Sequence, residues 1–350
     1  MRYRYSEENG RLVKKALVYT AVEHGINIDD VDKEAVSIVH RLKEAGHDSY
    51  IVGGAVRDLL LKKKPKDFDI VSDATPARIK KIFRNSRIIG RRFKLVHVYF
   101  GPRIFEVSTF RSLKDGLTSN TFGSINEDVL RRDFTMNALF YDPVQQTIVD
   151  YIGGIKDIKA KLVRPIIPLT KIFTDDPVRM IRAVKYGAST GFNLPFLLKR
   201  KIKKQSHLLS AISHSRLTEE IFKIIQSPQA VRIVENLDAL GLYAYLQPSA
   251  AKLMNEPGSF RVRYLRSMAV MSKPGFKNLP GEAMGALIND YLEDFADWDR
   301  GIIENYRACY SAARNFILPM NPPRYEIDYA VRRFFAAHGK TVKKSHIINK

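Results

Sequence analysis

The chain has few of the features that would indicate a secreted or membrane protein. Its 350 residues include one cysteine, Cys309, which excludes an intramolecular disulfide and a cysteine-rich metal site. No apolar run approaches the roughly 18 to 20 residues that a membrane helix needs. The N-terminus has no hydrophobic signal segment. We therefore expect a cytoplasmic protein, and its length predicts more than one domain.

Acidic residues are scarce beside basic ones. The 58 Lys and Arg outnumber the 37 Asp and Glu, for a net charge of +21. Two stretches, 74–103 and 177–218, contain no acid, although each carries several Lys and Arg. Clustered positive charge attracts a phosphate backbone, so nucleic acid is the expected partner rather than a merely solvated basic surface. The candidate RNA contacts are Arg91, Arg92 and Lys94.

Asp67 and Asp69 are separated by a single residue, in a segment (66–71) whose composition predicts a strand. Side chains two residues apart on a strand point to the same face. Neighbouring carboxylates on a rigid support suit divalent cations, which prefer hard oxygen ligands. The spacing predicts a site for paired metal ions, although an isolated Asp-x-Asp is more often a polar strand end.

A glycine pair precedes these acids. The pattern predicts a strand over 49–52, a tight turn at Gly53 and Gly54, and a helix beginning at Val56. A strand, a glycine turn and a helix start can cradle a phosphate. Most such pairs are only turns, but the following Arg57 and the two aspartates strengthen the phosphate-site interpretation.

A third acid, Glu106, lies among apolar residues on a predicted strand over 103–111. Burying an acid there is costly unless it is paired or metal-bound, so Glu106 is either a further carboxylate of the site or an edge residue that faces water. Further on, Arg131, Arg132 and Asp133 precede an apolar stretch that we expect to be helical. They are either a capped helix start or, near a triphosphate, a source of neutralising charge.

The chain after residue 157 is predicted to be helical. Asp176 and Arg179 are three residues apart and would share a helix face, where an acceptor and a donor fork could read the edge of a base. The alternatives are a helix N-cap at Asp176 and a solvent-facing Arg179.

These motifs together resemble a known superfamily. The run Ile-Val-Gly-Gly-Ala-Val-Arg-Asp-Leu-Leu-Leu, followed by Lys-Asp-Phe-Asp-Ile-Val, resembles the signature of class II nucleotidyltransferases. These include the bacterial poly(A) polymerases and the tRNA CCA-adding enzymes. Arg-Arg-Asp-Phe-Thr-Met-Asn-Ala and Asp-Asp-Pro-Val-Arg-Met-Ile-Arg-Ala match its later motifs in order. The segments 23–26, 90–98 and 122–125 look like the poly(A) polymerase branch.

The resemblance implies a fold and a division of the chain. We expect an α+β N-terminal nucleotidyltransferase head, palm-like in form, followed by an all-α helical neck, body and tail. The expected bounds are an N-terminal extension at 1–30, the catalytic head at 31–157, the neck at 158–230 and the body with a basic tail at 231–350.

The resemblance also implies roles for residues. It implies Mg²⁺ on Asp67 and Asp69, with Glu106 or Asp133 as a further acid; Asp133 alternatively serves the ribose. The implied nucleotide contacts are Gly53, Gly54, Arg57 and Arg132 for the triphosphate, Asp176 and Arg179 for the base, and Arg182. The base-reading motif usually begins Glu-Asp, whereas this chain has Asp175 before Asp176, which puts the geometry of base selection in question.

The predicted activity is template-independent addition of AMP from ATP to RNA 3′ ends, of mRNA or tRNA, by a monomeric enzyme. One alternative is a CCA-adding enzyme, which shares every catalytic residue named above and differs in using CTP as well as ATP. A second alternative is an RNA-binding protein with an inactive nucleotidyltransferase domain; the intact pair Asp67 and Asp69 argues against it.

Overall fold

The chain divides into two compact units, and the boundary along the sequence lies between Asp175 and Asp176. The computed structural model describes residues 2–8, 11–90, 94–112, 121–271 and 280–343. Within these ranges the first unit mixes strands and helices, and the second is built from helices. This confirms the predicted α+β head followed by an all-α region, with the division later in the chain than the predicted residue 157.

The first unit holds the strands and the shorter helices. Its strands are β1 (Arg2–Glu8), β2 (Arg11–Thr20), β3 (Ser49–Val52), β4 (Asp69–Ser72), β5 (Ser86–Ile89), β6 (Leu95–Phe100), β7 (Arg103–Thr109), β8 (Leu139–Asp142) and β9 (Thr147–Asp150). Its helices are α1 (Ala21–His24), α2 (Lys33–Glu44), α3 (Gly54–Leu60), α4 (Pro76–Ile82), α5 (Ile125–Arg131), α6 (Gly154–Lys159) and α7 (Ile172–Asp175).

The described strands form one sheet in the order β1-β2-β9-β8-β3-β4-β7-β6-β5. The pair β4 and β7 is parallel, whereas the other neighbouring strands are antiparallel. Residues 2–8 and 11–20 form β1 and β2 at one edge of this sheet, so they are part of the head and not a separate N-terminal extension. Their sequence has no strict alternation that would have predicted this.

Burial on both faces of the central strands follows from their composition. All four residues of β3 are buried, as expected for a short continuous apolar run. Helix α2 covers one face with its apolar side, and Asp32 caps it by accepting hydrogen bonds from the backbone amides of Glu34 and Ala35. On the opposite face, part of the sheet is covered by an apolar cluster of Ala16, Tyr50, Val52, Val71, Phe110, Val129, Phe140 and Val149.

Three local predictions differ from the structure. The strand predicted over 66–71 begins only at Asp69, so Asp67 precedes it. The sequence over 88–100 also predicts a single strand, whereas the structure has β5 and β6 there, which pair as antiparallel neighbours. Gly90 after β5 has a φ of 86°, a value that lets the chain leave the strand. The helix expected after Asp133 is a single 3₁₀ turn, Thr135–Asn137, followed by β8.

The second unit contains longer amphipathic helices. They are α8 (Val178–Thr190), α9 (Phe196–Gln205), α10 (His214–Ile225), α11 (Ala230–Ala239), α12 (Tyr243–Leu246), α13 (Pro248–Asn255), α14 (Phe260–Met271), α15 (Pro280–Phe295), α16 (Ile302–Phe316) and α17 (Arg324–Ala337). Their buried interior includes Tyr243 and Tyr264, whose hydroxyls lie 2.9 Å apart. Among the helices of the described ranges, none has the length and hydropathy to cross a membrane.

Candidate active site

The glycine turn lies directly beside the acidic pair. Gly53 ends β3 with φ 73° and ψ −135°, a conformation that an L-residue rarely adopts. A Cβ atom built on Gly53 would lie 3.8 Å from Oδ2 of Asp69, and one on Gly54 would lie 3.5 Å from Nη2 of Arg57. The structure thus brings together the turn, Arg57 and Asp69, as the sequence predicts.

Strand register places Asp69 and Glu106 side by side. In the parallel pair β4 and β7, Ile70 is opposite Val107, so the preceding residues, Asp69 and Glu106, occupy neighbouring positions on the same face. Both side chains are exposed. Glu106 therefore lies exposed on an internal strand beside Asp69, so the alternative of an edge-strand residue is wrong.

Burial and the neighbouring acids raise the cost of ionising Asp69. Desolvation by the surrounding protein, together with the negative charges of Asp67 and Glu106, raises the pKa of Asp69 to about 6. The positive charge of Arg132 opposes this shift. Asp67, although it precedes the strand, is thus close enough to act on Asp69. The predicted neighbourhood of the two aspartates is retained, but strand alternation does not produce it.

An oxygen-only acidic site of this kind fits Mg²⁺. No cluster of three or more His, Cys, Asp or Glu side chains within the described ranges is arranged to hold a metal by itself. Mg²⁺ is commonly bound by one or two carboxylates together with waters and substrate phosphates rather than by a complete protein cage. Asp67 and Asp69 could therefore hold the ion once a triphosphate supplied further oxygens.

Asp133 has different partners from the other acids. Its Oδ1 accepts hydrogen bonds from the backbone amide of Phe134 at 2.8 Å and from Nδ2 of Asn137 at 3.4 Å. Among the described residues, the acids that raise the pKa of Asp69 are Asp67 and Glu106. This arrangement favours Glu106 over Asp133 as the further carboxylate of the site.

Asn137 connects the two arginines expected to contact the triphosphate. Its Oδ1 accepts from Nη1 of Arg57 at 2.9 Å, and its backbone oxygen accepts from Nη1 of Arg132 at 3.3 Å. Asn137 is buried, and its Nδ2 donates to Asp133. We did not assign it a role from the sequence, although it lies inside the recognised Arg-Arg-Asp-Phe-Thr-Met-Asn motif.

Arg132 is held from several sides. Its Nε and Nη2 donate to Oδ2 of Asp128 at 3.0 and 2.8 Å, and its guanidinium lies 5.0 Å from the ring centroid of Phe140. Asp128 is buried and is a second residue that sequence reasoning missed. Its only signal was that it precedes Arg132 by four residues, a spacing that brings the two side chains together at the C-terminal end of α5. Such support fixes the direction of a guanidinium.

The remaining nucleotide candidates belong to the second unit. Both carboxylate oxygens of Asp176 accept from Nη2 of Arg216, at 3.0 and 2.9 Å, and Oδ1 also accepts from the amide of Val178 at 3.2 Å. Arg179 is buried, so the solvent-facing alternative is wrong. Arg182 is paired through Nε with Glu220 at 3.2 Å.

Glu220 organises the charges of these helices. It is buried and also contacts Nζ of Lys185 at 2.7 Å and of Lys223 at 3.9 Å. Despite the opposing effect of burial, the lysines and Arg182 lower the pKa of Glu220. Neither Glu220 nor Arg216 was assigned a role from the sequence, because Arg182 and Lys185, which pair with Glu220, and Asp176, which pairs with Arg216, lie more than 30 residues away.

The predicted RNA strip is only partly described. Arg91 and Arg92 lie outside the described residues, so their role remains a prediction. Lys94 is exposed just before β6 and lines a cavity of about 190 Å³ with Thr109, Arg111 and Phe122.

Two family models match the chain. Residues 49–164 match the poly A polymerase head domain, and residues 191–254 match a domain described as "Probable RNA and SrmB- binding site of polymerase A". The first match contains the glycine turn and all the acids discussed above for the first unit.

Curated relatives come from both branches. Poly(A) polymerase I of Escherichia coli O6:H1 is 40% identical over 252 residues, which are 67% of this chain and 54% of that protein. The CCA-adding enzyme of Geobacillus stearothermophilus is 38% identical over 226 residues, 63% of this chain and 56% of that protein. The chain therefore spans about half the length of the curated relatives it matches.

Solved structures share the fold. The CCA-adding enzyme of Bacillus stearothermophilus in complex with CTP is 26% identical with a TM-score of 0.59, covering 90% of this chain and 86% of that one. A tRNA nucleotidyltransferase complexed with a primer tRNA and an ATP analogue has the same TM-score at 23% identity, covering 89% and 87% of the two chains.

Proposed function

Because the chain belongs to the class II nucleotidyltransferase superfamily, we propose that it is a poly(A) polymerase, a template-independent enzyme that adds AMP from ATP to RNA 3′ ends. The reaction joins the 3′-oxygen of RNA to the α-phosphate of ATP and releases pyrophosphate. Cytoplasmic location and a monomeric state remain predictions from the sequence.

One observation carries the proposal: Asp69 and Glu106 occupy neighbouring positions on one face beside a glycine turn, and Asp67 is close enough to act on Asp69. The pKa of Asp69 lies at about 6 in part because Asp67 and Glu106 repel its negative charge. A structural role gives no reason to assemble acids that destabilise one another. A cation does, because it converts that repulsion into attraction. This argues against the inactive RNA-binding alternative.

We assign the acidic residues to the metal ion and the glycine turn to the triphosphate. Asp67 and Asp69 would hold Mg²⁺, with Glu106 nearest to them as the further acid. When bound, the ion would polarise the α-phosphate and lower the pKa of the RNA 3′-hydroxyl. Gly53 and Gly54 would let the triphosphate approach the backbone closely, because they present no Cβ there.

Arg57 and Arg132 would neutralise the triphosphate. Their orientations are set before the substrate arrives, by Asn137 for both and by Asp128 for Arg132. A charge already fixed in position pays little reorganisation cost during the reaction. We assign Asp128 and Asn137 as positioning residues.

We propose that Asp176 and Arg179 select the nucleobase and that Arg182 supports them through Glu220. The pairing of Asp176 with Arg216 fixes the direction of the Asp176 carboxylate at the start of α8, which supports this assignment. The basic stretch 177–218 of the second unit would contact the bound RNA, in keeping with the family description matched by residues 191–254.

The experiment supplies Mg²⁺, one nucleotide at a time, and two RNAs: a generic oligonucleotide and a tRNA lacking its 3′ end. We expect a ladder of A residues on the generic RNA. Asp67→Asn and Asp69→Asn should each reduce incorporation about a hundredfold or more, because the metal's charge stabilisation is worth several kcal/mol. RNA binding, followed by fluorescence anisotropy, should persist in both variants.

Other outcomes decide between the alternatives. Addition that uses CTP and ATP and stops after three residues on the tRNA alone supports a CCA-adding enzyme, the activity of several structural neighbours. RNA binding without incorporation of any nucleotide supports an inactive domain. Full activity in Asp69→Asn contradicts the metal assignment.

A further inference from the structure

One half of the sheet face that carries the acids is open. Register links Arg87 on β5 to His97 on β6, and His97 to Glu106 on β7, so these side chains form a row that continues to Asp69. On one side of Asp69 the same face is covered by the apolar cluster that includes Val52. On the other side, over β7, β6 and β5, the outward residues retain solvent exposure.

The open half carries aromatic, apolar and cationic groups together. Tyr99 and His97 are half-buried and their rings meet edge to face, with centroids 6.3 Å apart. Ile104, opposite Tyr99 in the register, is 53% exposed, and Arg87 is exposed at the edge strand. Exposed aromatic rings on a sheet, flanked by cations, are features on which single-stranded RNA stacks its bases.

The acids fix one end of any substrate on this surface. His97 Nε2 lies 3.5 Å from Oε1 of Glu106, so the aromatic pair directly adjoins the carboxylates. The row from Glu106 to Arg87 crosses two gaps between strands, about 10 Å, which is the length of about three stacked nucleotides. Among the described residues, the apolar cluster covers the other half of this face, which leaves this half for an RNA 3′-hydroxyl to approach Asp69 along the sheet.

We propose that the open half of the sheet, formed by Arg87, His97, Tyr99 and Ile104, binds the last nucleotides of the RNA substrate. The bases stack on Tyr99 and contact Ile104, while Arg87 pairs with a backbone phosphate. His97 lies between the stacked bases and Glu106. This inference rests on the proposed function, because it names the position of that reaction's RNA substrate.

The test measures KM for an oligonucleotide RNA and for ATP separately in Tyr99→Ala and Tyr99→Phe. Loss of one base–aromatic stack, about 1 kcal/mol at the low end, corresponds to about a fivefold weaker interaction. We expect Tyr99→Ala to raise KM for RNA at least fivefold and to leave KM for ATP unchanged. Tyr99→Phe keeps the ring and should restore the wild-type value. Tyr5→Ala is the matched control, since Tyr5 is 52% exposed on β1 at the opposite edge of the sheet.

A second variant tests the phosphate contact. Arg87→Ala should lower the slope of log binding constant against log salt by about one for the same oligonucleotide. Lys33→Ala removes an exposed like charge from α2, which covers the opposite face of the sheet and lies outside both basic stretches, and should leave the slope unchanged.

The outcomes separate this inference from the proposed function. If the wild type extends RNA but Tyr99→Ala has an unchanged KM for RNA, the surface assignment is wrong and the activity stands. If the wild type extends no RNA, binding of the oligonucleotide by anisotropy still tests the surface through the same variants. If Tyr99→Ala and Arg87→Ala weaken binding of polyglutamate and not of RNA, the surface accepts an acidic protein and the inference is overturned.

Discussion

Asn137→Ala tests whether the triphosphate arginines depend on a shared support. In the structure, Nη1 of Arg57 donates to Asn137 at 2.9 Å, while Nε of Arg57 donates to Asp58, also at 2.9 Å. The substitution removes the first anchor and retains the second. Arg57 should then sample orientations that face away from the substrate.

The expected magnitude follows from these contacts. A hydrogen bond that involves a charged group contributes about 1.5–3 kcal/mol, or roughly ten- to a hundredfold in rate. Because Arg57 keeps its contact with Asp58, we expect the lower end, about a tenfold loss of kcat/KM for ATP. The buried Asn137 also supports Asp133, so unfolding should become easier by about 1–3 kcal/mol.

A double-mutant cycle with Arg57→Ala separates positioning from simple destabilisation. If Asn137 acts through Arg57, Asn137→Ala should cost much less activity when Arg57 is already absent. Thermal melts report the stability loss, and steady-state kinetics report kcat and KM. Asn27→Ala is the control, since Asn27 is exposed in the first unit and its Oδ1 accepts one hydrogen bond, from the backbone amide of Asp29 rather than from an arginine. Equal losses in both backgrounds would refute the argument.

Three further predictions concern stability and RNA affinity. Because the pKa of Glu220 is lowered in the folded state, its charge stabilises the fold at pH values above the ordinary glutamate pKa of about 4.5, and this stabilisation is lost as the pH falls below it. Glu220→Gln should therefore lower Tm at pH 7 and flatten the decline of Tm in acid. An unchanged dependence of Tm on pH would contradict this. Gly53→Ala should cost about 1–2 kcal/mol in chemical denaturation because φ is 73°, and should impair ATP use; wild-type stability would exclude strain there. Neutralising Arg91 and Arg92 should weaken RNA binding most at low salt; equal binding at every salt concentration would remove them from the interface.

Much of the head follows from local sequence. The strand over 49–52 and the turn at Gly53 were predicted at or near their observed bounds. The sequence likewise predicts a helix over 32–45, where α2 is observed, because burial, capping and left-handed backbone leave signals within a few residues. Thr75 likewise caps α4 by accepting from the amide of Arg78. Local patterns did not predict β1 and β2, whose stability comes from pairing with each other and with β9.

The site itself divides in the same way. Residue type and spacing were enough to select Asp67, Asp69, Glu106 and the arginines, since the superfamily's motifs carry them in order. The choice between Glu106 and Asp133 required the parallel pairing of β4 with β7, which connects segments about 37 residues apart. Asn137 and Asp128 were missed for a related reason: a buried polar residue shows its purpose only through its partners.

The sequence by itself determined which functional groups are present: a high positive charge, a glycine turn, and acids suited to a divalent cation. Tertiary structure alone decided which acids repel one another, which side chains hold the arginines, and which half of the sheet face is open. The physical reason is that charge interaction and burial depend on distances across strands, and those distances are set by long-range pairing and not by neighbours in the chain.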